Sequence, residues 1–147
     1  MPIRKVINLE VFTLSDRIRY TCRTMDAQKI IEIRDQAEIA KKEGKYTIAI
    51  SLMKEYLSLV HPSFTHYSWY FIADLYFQEG KIKEAMEHCN EALRLKNDYI
   101  PGLELRISIF KKLDRWEEAL KDKKTIEDYN AMEKAKWDDP NHYYHYK

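Results

Sequence analysis

Residues His66 to Lys96 read HYSWYFIADLYFQEGKIKEAMEHCNEALRLK, and this stretch decides the fold. In its first half Trp69, Ile72, Ala73 and Tyr76 recur at i, i+3, i+4 and i+7, which places all four on one face of a helix. In the second half Ile82, Ala85, Cys89 and Ala92 share a helix face in the same way. Gly80 separates the two, and a glycine there can adopt the left-handed conformation that ends a helix. Two helices joined so tightly must lie back to back. The small side chains of Ala73, Ala85 and Ala92 let their backbones come close.

The pattern recurs on both sides. Gly44-Lys45-Tyr46 matches Gly80-Lys81-Ile82, and Ala37 and Ala49 match Ala73 and Ala85, at an offset of 36 residues. Downstream, Trp116 and Ala119 match Ile82 and Ala85 at an offset of 34, with Asp114 in the glycine slot. Repeats of this period predict a stacked array of helix pairs.

On these residues the chain resembles the tetratricopeptide repeat family across roughly residues 26–130. Trp69, Ala73, Tyr76, Ala85 and Ala92 occupy that family's signature slots in the central unit. In the first unit Ile33, Ala37, Ala40 and Ala49 fit, while Tyr56 replaces a small residue. In the third, Leu103, Phe110 and Ala119 fit, and Arg106, Ile107 and Ile126 depart from the pattern. The resemblance implies an all-α fold, a right-handed superhelical stack of three antiparallel helix pairs, with an extra N-terminal segment and an extended C-terminal helix. The units fall at about 30–63, 66–99 and 100–133 within a domain spanning 26–135. The inter-helix alanines and Trp69 are expected to carry most of the stability.

The flanks read less clearly. In residues 1–25, Ile7, Leu9 and Val11 alternate as in a strand, as do Ile18, Tyr20 and Cys22, so a hairpin turning at Ser15-Asp16 competes with a helix from Ser15. Asp26 reads as the N-cap of the next helix, Asn97-Asp98 as the cap of the fifth, and Asp114 with Glu117 as a capping box for the sixth. Ser63 or Thr65 can cap the third. The sixth helix is expected to run to about Ala135, leaving 136–147 as an aromatic, polar tail.

Composition narrows the function. Charged residues are 33% of the chain, yet the net charge is +1, which gives no case for nucleic acid or an anionic membrane as partner. No apolar run approaches the roughly 20 residues that span a bilayer. Two distant cysteines, Cys22 and Cys89, argue against a structural disulfide and for a cytoplasmic protein. There is no phosphate-cradling glycine loop, no nucleophile motif and no His/Cys set at metal-ligand spacing. Catalytic residues, metal and cofactor are therefore all expected to be absent.

What remains is a surface. The resemblance implies that the first helix of each pair lines a concave groove. Its slots correspond to Arg34, Glu38 and Lys41, then Tyr67, Tyr70, Phe71, Asp74 and Phe77, then Glu104, Leu105, Ser108 and Lys111. An exposed aromatic centre flanked by charge reads as a recognition surface for a partner peptide or helix. The competing reading packs Phe71 or Phe77 against a neighbouring helix or the C-terminal tail. Some members of the family grip acidic chaperone tails through a five-residue clamp of lysine, asparagine and arginine. The matching positions are Arg34, Glu38, Phe71, Pro101 and Leu105, of which Arg34 alone suits a carboxylate. The expectation is a non-enzymatic scaffold or adaptor that does not take heat-shock chaperone tails. Two alternatives stand beside it. One is a small dedicated chaperone resembling the type III secretion kind, able to form a homodimer. The other is a structural subunit of a larger assembly.

Overall fold

The structure, a computed structural model, describes residues 14–138, with side-chain environments from residue 26 onward. Six helices occupy it: α1 (Leu14–Lys42), α2 (Tyr46–Leu59), α3 (His66–Gln78), α4 (Ile82–Leu95), α5 (Ile100–Lys112) and α6 (Trp116–Asp138), with a short 3₁₀ turn at Pro62–Phe64. There is no strand among the described residues. Each helix packs on its pair partner, α1 on α2, α3 on α4 and α5 on α6. The second helix of each pair meets the first helix of the next, and α3 also touches α5. This is the right-handed stack of three antiparallel pairs that the repeat implies.

The three bends inside the pairs share one geometry. Gly44, Gly80 and Asp114 adopt φ of 73°, 78° and 56°. At each bend the left-handed residue bonds back three positions, Gly44 N–H to Lys41 O at 3.0 Å, Gly80 to Phe77 at 3.0 Å and Asp114 to Lys111 at 3.3 Å. The following residue bonds back five, Lys45 to Ala40, Lys81 to Tyr76 and Arg115 to Phe110, each at 2.9 Å. These paired bonds satisfy the last carbonyls of the first helix and turn the chain into the second. The capping box expected at Asp114 and Glu117 does not form. Asp114 spends its conformation on ending α5, and Arg115 pairs instead with Glu118 at 2.7 Å.

Other helix starts also differ from the sequence reading. α1 passes through Asp26 instead of starting there, because no proline or glycine interrupts residues 14–42. Ile18, Tyr20 and Cys22 are helical, which removes that strand; Ile7, Leu9 and Val11 lie outside the described residues. α5 takes Tyr99, not Asn97 or Asp98, as its N-cap, with Pro101 in its first turn. The Tyr99 ring is held by packing, edge-on to Tyr70 at 5.6 Å and to His66 at 4.9 Å. Thr65 does precede α3, but its hydroxyl donates back to Pro62 O at 2.6 Å and caps nothing. α6 continues to Asp138, past Ala135, and the tail from 139 lies outside the described residues.

Two cores form between successive pairs. Ala37, Ala40, Ala49, Ile50, Met53, Phe71, Ile72 and Leu75 make the first. Ala73, Ala85, Cys89, Leu93, Leu103, Leu105 and Ile109 make the second. Ala37, Ala49, Ala73, Ala85 and Ala92 are fully buried, as close helix approach requires. Cys89 is buried too; its thiol donates to Gly102 O at 3.2 Å, and burial pushes its pKa up to about 12, so it is not a reactive nucleophile.

The third pair is held differently. Arg106, out of pattern in sequence, makes a two-bonded pair with Asp122 of α6, Nε to Oδ2 at 2.6 Å and Nη2 to Oδ1 at 2.7 Å. Its remaining Nη1 donates to Asn90 of α4 at 3.2 Å, so one guanidinium ties three helices. Asp122 is buried, and an aspartate there is tolerated because the planar fork satisfies it.

Two aromatic residues differ from expectation. Trp69 is half-buried beside His88, with ring centroids 5.6 Å apart, and belongs to neither core. Trp116 is 56% exposed, and among the described residues no helix covers α6 as α3 covers α2. Phe71, with no exposed surface, is the buried aromatic anchor. Phe71→Ala should therefore cost about 3–5 kcal/mol in chemical denaturation, while Trp116→Ser should change stability by less than about 0.5 kcal/mol. Equal costs would contradict this packing.

Candidate partner-binding face

α1, α3 and α5 stand side by side as the first helices of their pairs, and side chains stitch the first two together. Lys41 Nζ lies 2.8 Å from Asp74 Oδ2 and 4.9 Å from the centre of the Phe71 ring. Gln78 Nε2 donates to the same Asp74 oxygen at 3.0 Å. The Tyr67 hydroxyl donates to Glu38 Oε1. The Lys41–Asp74 bridge is partly shielded from water, so it sets the spacing of α1 and α3 more firmly than an exposed pair would, and the Tyr67–Glu38 bond adds an exposed contact beside it.

α3 explains how the surface is divided. Its face toward α4 carries Trp69, Ala73 and Tyr76. A second stripe, Ser68, Phe71, Ile72 and Leu75, is buried at i, i+3, i+4 and i+7. What is left for the outside is Tyr67, Tyr70, Asp74 and Phe77. α5 repeats the division, with Gly102, Leu105 and Ile109 buried and Glu104, Ser108 and Lys111 turned away.

Of the residues proposed from sequence, Phe71 and Leu105 are therefore core, not groove. Arg34, Glu104 and Lys111 are exposed, Tyr67 is 37% exposed, and Glu38, Lys41, Tyr70, Asp74, Phe77 and Ser108 are half-buried. Phe77 and Tyr70 lean on the second core. Ser108 Oγ donates to the Glu104 carbonyl at 3.1 Å, one turn back in its own helix. Sequence reasoning missed Tyr99, whose ring meets Tyr70; it precedes α5, where no periodicity marks it. The ring centroids of Tyr67 and Tyr70 are 6.3 Å apart, so Tyr67, Tyr70 and Tyr99 form a chain of rings across the start of α3 and α5.

Burial raises the pKa of Tyr67 well above the ordinary tyrosine range, reinforced by the hydrogen bond to Glu38 and its charge. Tyr70 is raised by burial and then by Asp74, Tyr99 and Glu104, and Tyr99 by burial. Carboxylates from α1, α3 and α5 thus surround these rings. His61 serves the neighbouring turn: its Nδ1 meets the Ser63 N–H at 3.3 Å and the Ser63 hydroxyl at 2.9 Å. Among the described residues no three His, Cys, Asp or Glu side chains gather to hold a metal ion, and no helix is long and apolar enough to cross a membrane.

The fold defines a helical-repeat protein. A family profile described as tetratricopeptide repeat matches residues 66–99, the central pair. That match covers the central pair, which is similar to a tetratricopeptide repeat unit. Similar solved structures include the second and first such domains of Spaghetti (RPAP3), each bound to the HSP90 peptide SRMEEVD. Both are 26% identical over 67% of this chain; they are covered to 89% and 79%, with TM-scores of 0.60 and 0.61. MamA shares the fold at 14% identity and a TM-score of 0.60, over 79% of this chain and 74% of its own. A search of curated protein sequences returned no match. The repeat match and these peptide-bound neighbours support a protein-interaction module.

The raised tyrosines have a consequence for stability. The fold favours their neutral form, so that contribution is intact below the unfolded value of about 10 and is lost as pH rises through the higher folded values. Unfolding free energy should fall above about pH 10, and less so in Tyr67→Phe, as followed by urea denaturation across pH 8–12. An equal fall in the two proteins would contradict the Tyr67 environment.

Proposed function

We propose that the chain holds a segment of a protein partner across the face of α1, α3 and α5, and performs no chemistry on it. The supporting observation is the row of partly exposed rings, Tyr67 and Tyr70 with Tyr99 behind them, standing on a braced α1–α3 frame. Half-exposed tyrosines offer large contact area with little side-chain entropy to lose, and flanking charges set register. Arg34, Glu38, Lys41, Asp74, Phe77, Glu104, Ser108 and Lys111 complete the contact set. Phe71 and Leu105 support it from below.

The partner differs in chemistry from the acidic tail bound by the two neighbouring domains. At the corresponding slots this chain buries Phe71 and Leu105, places Pro101 in the first turn of α5, and carries a carboxylate at Glu38. Arg34 alone could meet an acidic terminus, and it already lies 3.7 Å from Asp35. Titration with the SRMEEVD peptide should show no saturable binding below about 1 mM, since a single exposed ion pair contributes under about 1 kcal/mol.

The double variant Tyr67→Ala, Tyr70→Ala tests the face itself. Affinity capture from the native extract should lose the partner retained by the wild type, while the Trp116→Ser variant keeps it. Undiminished capture by a folded double variant would move the site off this face.

A further inference from the structure

We propose that the face of α1, α3 and α5 takes a partner segment that presents an arginine or lysine side chain, seated against Tyr67 and Tyr70 between Glu38 and Glu104. This rests on the face being the partner site and names the chemistry it selects.

Charge accounting on named groups carries it. Three carboxylates border the tyrosines, one from each first helix: Glu38, Asp74 and Glu104. Asp74 is neutralised within the protein by Lys41 at 2.8 Å and further bonded by Gln78 at 3.0 Å. Glu38 has Tyr67 as its bonding partner and no cation within ion-pair distance. Glu104 is exposed, and its carboxylate has no ion pair among the described residues. The cations on this face are committed or distant. Lys41 is held by Asp74 and Phe71, and Arg34 lies by Asp35. Lys111 stands two helical turns, about 10 Å, beyond Glu104 along α5. Two uncompensated negative charges therefore flank a set of partly exposed aromatic rings.

A cation suits that setting twice over. It is attracted by the electron-rich ring faces, and it completes the ion pairs that Glu38 and Glu104 lack. Arginine fits better than lysine, because its flat guanidinium can stack on a tyrosine while its edge meets a carboxylate. An acidic segment would bring like charge onto Glu38 and Glu104 and is excluded by repulsion. Tyr70 and Tyr99, packed against the second core, add apolar surface for the arginine stem.

The test uses the full chain, labelled with ¹⁵N, and two peptides of equal length and apolar content, one carrying arginines and the other glutamates. Each is titrated at fixed ionic strength. The arginine peptide is expected to shift the amides of Tyr67, Tyr70 and Glu104 saturably, and the glutamate peptide to leave them in place. Glu104→Gln, at an exposed position, and Glu38→Gln, which can still accept the Tyr67 hydrogen bond, should each weaken the arginine peptide about threefold. Equal response to both peptides, or no loss in either variant, would overturn the charge selection while leaving the face as a binding site. Shifts confined to another surface, or none with either peptide, would overturn both.

Discussion

The closeness of two helix backbones within each pair governs the rest of this molecule. Ala37 meets α2 near Ala49, and Ala73 meets α4 near Ala85, with no exposed surface left on any of the four. That approach is possible because the chain reverses within two or three residues, at Gly44 and Gly80, in a backbone conformation that side chains disfavour. Neither glycine has an atom within 4 Å of where a Cβ would lie, so the constraint there is φ and not space. Once each pair is that thin, its two outer sides lie close enough for the next pair to bury them, and the two inter-pair cores follow.

The third pair shows what happens when the small residues run out. Ile107 and Ile126 are larger than the alanines in the matching slots, and neither is fully buried. The helices there are joined by the Arg106–Asp122 fork and its bond to Asn90. The fork is a directional, charged contact in place of close alanine packing. Arg106 also stacks over Phe110 at 5.8 Å, and Arg115 covers the same ring at 4.9 Å, so arginine stems stand in for part of the apolar packing.

Legibility varied along the chain for physical reasons. The helix pairs, the bends and the fully buried alanines could be read because each depends on neighbours within one or two turns. Asp26, Asn97 and Asp114 do not mark the helix starts, because a capping side chain signals only a local preference. At Tyr99 and Asp114 tertiary contact or the preceding bend prevails over it. The surface was harder still. Phe71 belonged by spacing to a second stripe with Ser68 and Leu75, and Leu105 to one with Gly102 and Ile109. In a helix that carries apolar or aromatic residues on nearly every side, periodicity does not say which stripe the neighbours cover.

By itself the sequence determined the all-helical class, the repeat period, the three equivalent bends and the likeness of the central pair to a known repeat, since short-range spacing and backbone preference suffice for these. Only the tertiary structure decided that Phe71 and Leu105 are core while Tyr67, Tyr70 and Glu104 reach the surface. It also decided that Asp74 is neutralised by Lys41 whereas Glu38 is not. Those outcomes depend on contacts between α1, α3 and α5, helices separated by more than twenty residues of chain. Long-range packing assigns each side chain to water, to core or to a partner charge.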